Sequence, residues 1–414
     1  MKYSVVTFGC RVNHADSLRI EEDLRARGGV ESSSDRADVV IVNTCSVTAT
    51  ADQGARQTIR RIARQNPAAR IVATGCYATR CEREVAALPN VVRVIRNDDK
   101  LDFVRGLAPS AANEDGPCGA PIEPGLAGRT AFTIRAQTGC EERCTYCIIP
   151  TTRGPSRSAP VDAITGEVAR VAAAGFKEVT LTGVHLGSYG RDFNPAASLL
   201  DLLRALDEVR ADVRFRISSL EPMDCTPAIV DFVAASGRFL PHFHLPLQHA
   251  SDRLLAAMRR PYTLADYRRL VDGITARLPH ASIGSDMIVG FPGETDADFA
   301  VNLDYLPGSP LTHLHVFPYS DRPGTEASAM RDKVHGAVIR ERGARLRDIG
   351  VGLARRFRGA QEGTVRPGLT LEDGTLVVTD NYLKVRIPPG RQRNERVDVR
   401  LALAGELLHG VVAG

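Results

Sequence analysis

The feature that most restricts the fold is a regular alternation of short apolar runs and amphipathic segments after residue 129. Each apolar run predicts a strand, and the segment after it has the apolar spacing of a helix. Six such units are typical of a partial parallel barrel, with six strands rather than eight. The predicted strands are 130–135, 178–182, 213–217, 242–246, 282–288 and 312–317, and the predicted helices are 161–174, 198–209, 226–236, 251–258, 263–277, 295–305 and 326–349.

Three cysteines, Cys140, Cys144 and Cys147, follow the first of these strands. Their sulfurs can converge on one ion or cluster only from a loop, because on a helix the same spacing would place them along a ridge. Three thiolates leave one iron of a four-iron cluster open to a chelating small molecule. Zinc is the less favoured alternative, because zinc sites usually pair their cysteines in two separate C-x2-C turns.

The first hundred residues predict a second α/β region, an open parallel sheet covered by helices. Cys10, Cys45 and Cys76 each come directly after a predicted strand. Because the carboxyl ends of parallel strands share one edge, these thiols can meet and hold a second cluster. The alternative is three buried cysteines that act as small apolar residues, as we expect for Cys81, Cys118 and Cys225. The predicted strands are 2–8, 37–43, 69–74 and 91–95, and the predicted helices are 15–28, 50–65 and 97–106.

Length and composition bound the remaining possibilities. A chain of 414 residues with 43% hydrophobic and 25% charged residues is typical of a globular protein of two to four domains. Without a long apolar run or a basic segment leading into one, we expect no membrane partner and a cytoplasmic location. Nine cysteines, an odd number, favour metal ligation in a reducing compartment over a disulfide scaffold. Residues 107–128 are rich in Pro, Gly and Ala without periodicity, which predicts a linker.

The tail from about residue 358 has short strands separated by Gly, Pro and Asn turns, which predicts a small antiparallel barrel. Between Arg355 and Arg400 there are ten Lys or Arg against six Asp or Glu. Tyr382 beside Lys384 and Arg386 suggests stacking and phosphate contacts with RNA. A solvated strand face would show the same alternating charge, so that alternative stays open.

Histidines fall in pairs at alternate positions of two predicted strands, where they share a face. We expect them to be hydrogen-bonded core or barrel-lumen residues rather than metal ligands. The pairs are His242 with His244 and His313 with His315, and the same expectation applies to His249, in the loop after the first pair.

The sequence resembles the radical S-adenosylmethionine (SAM) methylthiotransferases over almost its whole length. Segments 181–190, 216–222, 258–263 and 314–320 look most like the branch that acts on N6-threonylcarbamoyladenosine next to the tRNA anticodon. The motifs that carry the family resemblance are Thr7-Phe8-Gly9-Cys10-Arg11-Val12-Asn13, Asn43-Thr44-Cys45, Thr74-Gly75-Cys76-Tyr77, the Cys140-x3-Cys144-x2-Cys147 spacing and Cys144-Thr145-Tyr146-Cys147-Ile148-Ile149-Pro150 with Arg153-Gly154.

This resemblance implies an α/β chain of three parts: an amino-terminal open parallel domain (1–106), a central partial (β/α)6 radical SAM barrel (129–357) and a TRAM barrel that binds RNA (358–414). It implies two [4Fe-4S] clusters, one on Cys140, Cys144 and Cys147 that cleaves SAM, and an auxiliary one on Cys10, Cys45 and Cys76 that offers sulfur. The radical from SAM would remove hydrogen from adenine C2, an unactivated carbon. The partners would be tRNA, a low-potential electron donor and a sulfur source.

Other site residues are predicted at the strand ends and in the tail. Cofactor contacts are expected at Tyr146, Gly183, Ser219 and Glu221, and phosphate contacts at Arg259, Arg260, Lys384 and Arg386.

Two positions depart from the family pattern, and two other functions stay open. Glu141-Glu142 stand where asparagine and a neutral or basic residue are commoner, and His249-Ala250 stand where serine and glycine are commoner. The first departure would change the charge beside the cluster. The alternatives are a methylthiotransferase acting on isopentenyladenosine tRNA or a ribosomal-protein aspartate, and a non-catalytic iron-sulfur protein that binds RNA.

Overall fold

The structure, a computed structural model, describes residues 1–100, 103–106, 122–125, 130–405 and 407–413. They form two compact units. The first comprises Met1–Ile122, Thr138–Arg157 and Ser320–Ser328, and the second comprises Glu123–Gln137, Ser158–Tyr319 and Ala329–Gly414. The predicted linker and Cys118 fall largely outside the described residues, and the domain boundaries given above stay a prediction.

The described elements alternate between strand and helix for most of the chain. The strands are β1 (Lys2–Thr7), β2 (Val30–Glu31), β3 (Val39–Thr44), β4 (Arg70–Gly75), β5 (Val91–Ile95), β6 (Phe132–Arg135), β7 (Gln137–Thr138), β8 (Arg157–Ser158), β9 (Glu178–Thr182), β10 (Arg214–Ile217), β11 (His242–His244), β12 (Ser282–Val289), β13 (His313–Pro318), β14 (Val365–Leu371), β15 (Leu376–Thr379), β16 (Lys384–Arg386), β17 (Arg396–Ala404) and β18 (Leu407–Val412). The helices are α1 (Arg11–Ala26), α2 (Ala49–Gln65), α3 (Cys76–Arg80), α4 (Glu82–Ala86), α5 (Ile149–Arg153), α6 (Val161–Ala173), α7 (Leu199–Glu208), α8 (Pro227–Ala235), α9 (Asp252–Ala257), α10 (Leu264–Arg277), α11 (Asp296–Tyr305), α12 (Glu326–Ala329) and α13 (Gly336–Ala360). Short 3-10 helices cover Phe103–Gly106, Leu186–Ser188, Pro222–Asp224 and Leu306–Gly308.

The first unit is built on a parallel sheet in the order β2-β1-β3-β4-β5. Strand β3 is buried along its whole length, and its alternate residues enter two separate apolar clusters. Val40 packs with Ile59 of α2 on one face, while Ile41 packs with Leu24 of α1 on the other. Helices therefore cover both faces of the sheet, which confirms the predicted open α/β fold.

The predicted helix 97–106 is wrong for the part of it that the structure describes. Residues 97–100 form a turn, and of the described residues in this segment only Phe103–Gly106 is helical, as a 3-10 helix. The reason is tertiary: the Lys100 side chain is fully buried and reaches Asp16 of α1, 2.8 Å away. A continuous helix here would have to place that ammonium elsewhere.

The second unit contains all six strands predicted for the partial barrel. They run in parallel as two three-stranded sheets, β10-β9-β6 and β11-β12-β13. The backbone of Phe215 in β10 joins the two sheets, because it bonds to Arg238 and Leu240 just before β11, both at 2.8 Å. The carboxyl ends of these strands carry the loops in which site residues were predicted.

The predicted helix over 326–349 is interrupted. Helix α12 ends at Ala329, and α13 begins at Gly336. The ring of His335, the residue just before α13, accepts a hydrogen bond from the amide of Ala337 at 3.3 Å. This cap starts a new helix. Helix α13 then continues to Ala360, past the residue at which the tail was predicted to begin.

The tail is a closed barrel in the order β14-β15-β16-β18-β17, with a core that includes Val377, Val385 and Val399. Its pairs are antiparallel as predicted except for β16 and β18, which pair in parallel. Strand β18 was missed. The turn after β15 packs on the six-stranded region: Arg216 of β10 donates to the carbonyls of Asp380 at 3.0 Å and Thr379 at 3.3 Å. The same guanidinium pairs with Glu178 at 3.0 Å.

Candidate iron-sulfur sites and their surroundings

Cys10, Cys45 and Cys76 lie at one edge of the first unit's sheet. Strands β1, β3 and β4 are neighbours, and Thr44 lies opposite Gly75 in the register. Cys45 and Cys76 are the next residues after this pair, so they leave the sheet side by side. The structure thus brings together the three thiols that sequence reasoning had grouped.

Glycine is required beside the first thiol. Gly9 has φ +88, and a Cβ at this position would lie 2.4 Å from the Cys45 sulfur. The chain that leads into Cys10 therefore passes directly against Cys45. Burial, with a smaller contribution from the nearby Cys10 and Cys76 thiols, raises the pKa of Cys45 to about 11. A bound metal would relieve this cost, because it takes up thiolate charge.

Asn13 ties the cysteine loops together. Its side-chain amide donates to the carbonyls of Phe8 and Thr44, each at 2.9 Å. The Asn43 side chain in turn donates to the Asn13 carbonyl at 2.8 Å. These bonds fix the chain just before Cys10 and just before Cys45.

One buried carboxylate beside the thiols forms ion pairs with two cations. The Asp16 carboxylate is 2.8 Å from the Lys100 ammonium and 3.4 Å from the Arg153 guanidinium, and all three side chains are buried. Burial opposes ionisation of Cys76, but Arg153 and Lys100 hold its pKa below the ordinary value. Burial also lowers the pKa of Lys100, against the pull of Asp16.

A second carboxylate repeats this arrangement beside Cys45. Asp52 is 2.5 Å from Arg80 and 3.0 Å from Arg322. Both guanidinium groups also donate to the hydroxyl of Ser46, the residue after Cys45, at 3.0 and 2.8 Å. Asp16 and Asp52 thus each pair with two cations, so that one positive charge is in excess at each carboxylate. This surplus suits an anionic guest at the three thiols, such as an iron-sulfur cluster held by three thiolates, better than it suits three neutral thiols.

The second cysteine set lies in the loop before α5. The amide of Cys140 donates to the carbonyl of Gly154 at 3.1 Å, and that of Cys147 donates to the carbonyl of Cys144 at 3.1 Å. A cavity of about 330 Å³ opens here. Its lining residues are Glu141, Glu142, Arg143, Cys144, Thr145, Cys147, Pro150, Gly324, Thr325 and Glu326. The unusual pair Glu141-Glu142 thus faces the space that a cluster ligand would fill. Tyr146 lies partly buried between the second and third cysteines.

The other predicted cofactor residues belong to the second unit. Gly183 follows β9, and Ser219 and Glu221 follow β10. The Ser219 hydroxyl lies 3.1 Å from Nδ1 of His244, and the Glu221 carboxylate pairs with Arg260.

Arg260 does not suit its predicted role. It is 6% exposed, and its guanidinium also donates to the Tyr262 hydroxyl at 3.0 Å. These internal partners argue against a phosphate contact. Arg259, Lys384 and Arg386 are exposed, and the last two share one face of β16. The Tyr382 ring packs on His242 and under the Arg216 guanidinium, with 42% of the residue exposed.

The strand histidines form a hydrogen-bonded cluster on one face of β11, β12 and β13. Nε2 of His244 and Nδ1 of His315 each lie 3.1 Å from the same oxygen of Asp286. Burial opposes ionisation of Asp286, yet these two rings lower its pKa to about 2. The three ligand atoms lie within 4.8 Å of one another. This cluster was not foreseen as a unit, although alternate spacing placed the histidines on shared faces.

His249 is a buried structural residue. Its Nε2 lies 2.9 Å from the Asn302 amide and 3.4 Å from Glu294, and its Nδ1 accepts from the amide of Ser251 at 2.9 Å. The Ala250 amide donates to Asn302 as well, at 2.8 Å. His249 and Ala250, which depart from the family pattern, therefore form hydrogen bonds inside the protein.

Comparison with known proteins identifies the family of the chain. Residues 2–96 match the family described as "Uncharacterized protein family UPF0004", and residues 134–306 match the "Radical SAM superfamily". A Bacillus subtilis protein named "Threonylcarbamoyladenosine tRNA methylthiotransferase MtaB" is 34% identical over 92% of this chain and 88% of its own length. The chain belongs to the radical SAM methylthiotransferase family. It is therefore an enzyme, and membership implies one [4Fe-4S] cluster and SAM.

Other relatives of the family are equally similar in identity. A Thermotoga maritima protein with the same name is 33% identical over 99% of this chain and 96% of its own length. A Chloroflexus aurantiacus "tRNA-2-methylthio-N(6)-dimethylallyladenosine synthase" is 35% identical over 84% of this chain and 77% of its own length. Among solved structures, the radical SAM methyltransferase TsrM from Kitasatospora setae matches with a TM-score of 0.57 at 15% identity, over 79% of this chain and 74% of that chain. This last likeness concerns the fold alone.

Among the described residues, no helix is both long and apolar enough to cross a membrane.

Proposed function

We propose that this enzyme converts N6-threonylcarbamoyladenosine next to the tRNA anticodon into its 2-methylthio derivative. Sequence identity does not separate the relatives named for threonylcarbamoyladenosine from those named for dimethylallyladenosine, because both kinds lie near 34%. The share of this chain that aligns does separate them. The compared relatives named for threonylcarbamoyladenosine align with 92–99% of this chain, and those named for dimethylallyladenosine align with 82–84%.

The proposal includes an auxiliary [4Fe-4S] cluster on Cys10, Cys45 and Cys76, beside the SAM cluster on Cys140, Cys144 and Cys147. The convergence of the first three thiols between two carboxylates with excess cations carries this part. When bound, such clusters supply electron transfer to SAM and a sulfur for insertion.

The chain's own residues bind and orient these groups. Six cysteines hold them, and Asn13 fixes the loops that bear Cys10 and Cys45. Tyr146, Gly183, Ser219 and Glu221 are proposed to contact SAM, and Arg259, Lys384 and Arg386 to contact tRNA phosphates. The reaction also needs a low-potential electron donor and a sulfur source. Because the proposed substrate is tRNA, we also propose a cytoplasmic location.

Two variants separate the two cysteine sets. Cys144→Ala should abolish SAM cleavage, measured as deoxyadenosine released by the anaerobically reconstituted, reduced enzyme. Cys45→Ala should leave that release within about twofold, because its thiol lies in the other set, and should lower methylthiolated nucleoside in digested tRNA by about 100-fold or more. Cys225→Ala, at a buried position outside both sets, is the matched control.

The substrate is tested with tRNA carrying either threonylcarbamoyladenosine or dimethylallyladenosine. Methylthiolation of the threonylcarbamoyladenosine tRNA alone supports the proposal. Methylthiolation of the dimethylallyladenosine tRNA alone would contradict it and would make that nucleoside the substrate. Full methylthiolation by Cys45→Ala would remove the auxiliary cluster from the mechanism. Normal methylthiolated threonylcarbamoyladenosine in a strain lacking the gene would contradict the assignment, and a ribosomal-protein substrate would then be sought.

A further inference from the structure

Arg153 connects the two cysteine sets within the first unit. It is the last residue of α5, the short helix that follows the Cys140–147 loop, and it is 3% exposed. Its guanidinium donates to Oδ1 of Asn13 at 2.5 Å and to the Thr138 hydroxyl at 3.2 Å. The side chain is thus fixed on both sides, with one partner in α1 and one in the strand before the loop.

The same helix end lies against Cys76. The Asn97 side-chain amide lies 2.7 Å from the carbonyl of Thr152 and 3.7 Å from the Cys76 sulfur, so one amide bridges α5 and the thiol. Arg153 and Cys76 are both buried, at 3% and 2% exposed. The end of α5 that carries the guanidinium is therefore close to a proposed ligand of the auxiliary cluster, in a region from which water is largely excluded.

The charge of Arg153 is not cancelled locally. Asp16 is shared with Lys100, whose ammonium is 0.6 Å closer to it (2.8 against 3.4 Å) and also bonds to Asn13 at 3.0 Å. One carboxylate thus meets two buried cations, and the surplus positive charge faces the thiols. In a low-dielectric region a charge this close interacts strongly with any charge that develops on the sulfurs.

We infer that Arg153, held at the end of the helix that follows the Cys140–147 loop, is a positioning residue that raises the reduction potential of the auxiliary cluster. The inference rests on the auxiliary cluster of the proposed function. One-electron reduction adds one negative charge to the cluster, and a buried cation beside its thiolates stabilises the reduced form. Net charge, hydrogen bonds to sulfur and burial are the properties by which proteins set such potentials.

The test uses the full chain with Cys140, Cys144 and Cys147 all replaced by Ala, so that only the auxiliary cluster assembles. The reduced fraction is measured by electron paramagnetic resonance during a mediated dithionite titration. In this background Arg153→Met should lower the ratio of reduced to oxidised cluster at a fixed potential by about tenfold or more. Arg153→Lys keeps the charge and should restore most of the ratio.

Arg157→Met is the matched control. Arg157 lies four residues further on, and its side chain is 47% exposed and pairs with the exposed Asp98. Solvent screens its charge, so the ratio should change by less than about twofold. Equal ratios in Arg153→Met and Arg157→Met would overturn the inference, while iron content near one cluster in both would leave the auxiliary cluster standing.

Two further outcomes are decisive. If the background chain binds no iron, the auxiliary cluster is refuted and the inference with it. If Arg153→Met alone fails to bind iron, Lys100→Met removes the same excess charge without touching Cys76, and an unchanged ratio in that variant would overturn the electrostatic role.

Discussion

At the scale of residues, the cysteines were predictable and their surroundings were not. Cys10, Cys45 and Cys76 share a topological position, because each follows a strand, and position in the sequence reveals that. Arg153 lies 140 residues from Asn13, and no spacing rule connects them. Lys100 was assigned to a helix because its neighbours have helical spacing, whereas its burial depends on α1. Such buried charges are determined by tertiary contacts, and a single sequence carries little signal for them.

His313 gives a prediction for acid stability. Burial, with a smaller contribution from the neighbouring His244 and His315, lowers its pKa from 6.5 to about 4. The folded pKa is thus below the unfolded one, so the neutral ring contributes stability above pH 6.5 that is lost as the pH falls towards 4. The contribution is at most about 3 kcal/mol. His313→Gln should show a shallower loss of stability across this window, measured as the guanidinium midpoint of the iron-free chain.

The control for this experiment is Thr226→Ala. Thr226 caps α8 from an exposed position by accepting from the amide of Ile229 at 3.4 Å, and it carries no titratable group, so its removal should lower the midpoint by a similar amount at every pH in the window. Parallel curves for wild type and His313→Gln between pH 6.5 and 4 would show that the His313 ring has no abnormal pKa.

At the scale of elements, the strands were predicted better than the helices. Strands such as β3 and β4 are short apolar runs that end at polar or glycine residues, a pattern visible without any partner. The break between α12 and α13 depends on a histidine cap, which periodicity does not register. Strand β18 was missed because alternating residues near the end of a chain resemble a loop until β17 pairs with them.

Arg216 provides the element-scale prediction. It holds the turn after β15 onto β10, where it is 1% exposed and pairs with Glu178. Arg216→Met would leave Glu178 buried without its cation, at a cost of about 3–5 kcal/mol, and would free the carbonyls of Thr379 and Asp380, where β15 ends and the turn begins. Hydrogen exchange measured by mass spectrometry should become about tenfold faster or more in peptides covering residues 379–383.

The double variant Arg216→Met with Glu178→Gln separates charge from contact. It removes the stranded carboxylate, so stability should recover in part while exchange in the turn stays fast. Unchanged exchange in Arg216→Met would show that the turn is held by other contacts, of which the Asn381 bond to the carbonyl of His280 at 2.9 Å is one.

At the scale of the whole molecule, a net charge of +4 is modest for an enzyme proposed to bind tRNA, so the distribution of charge has to matter more than its sum. Lys384 and Arg386 project from one face of β16, with Val385 buried between them. If both contact phosphates, replacing both by Ala should weaken tRNA binding at every salt concentration. The slope of log affinity against log salt should fall by about one to two, measured by filter binding or anisotropy.

A control of equal charge distinguishes specific contacts from the general field. Arg204 and Arg210 are exposed at and just beyond α7, and replacing both by Ala lowers the net charge by the same two units. Equal losses of affinity and slope in the two double variants would mean that tRNA responds only to total charge. A loss confined to the β16 variant would place phosphates on that strand, because local contacts release counterions where a distant charge is screened within about 10 Å.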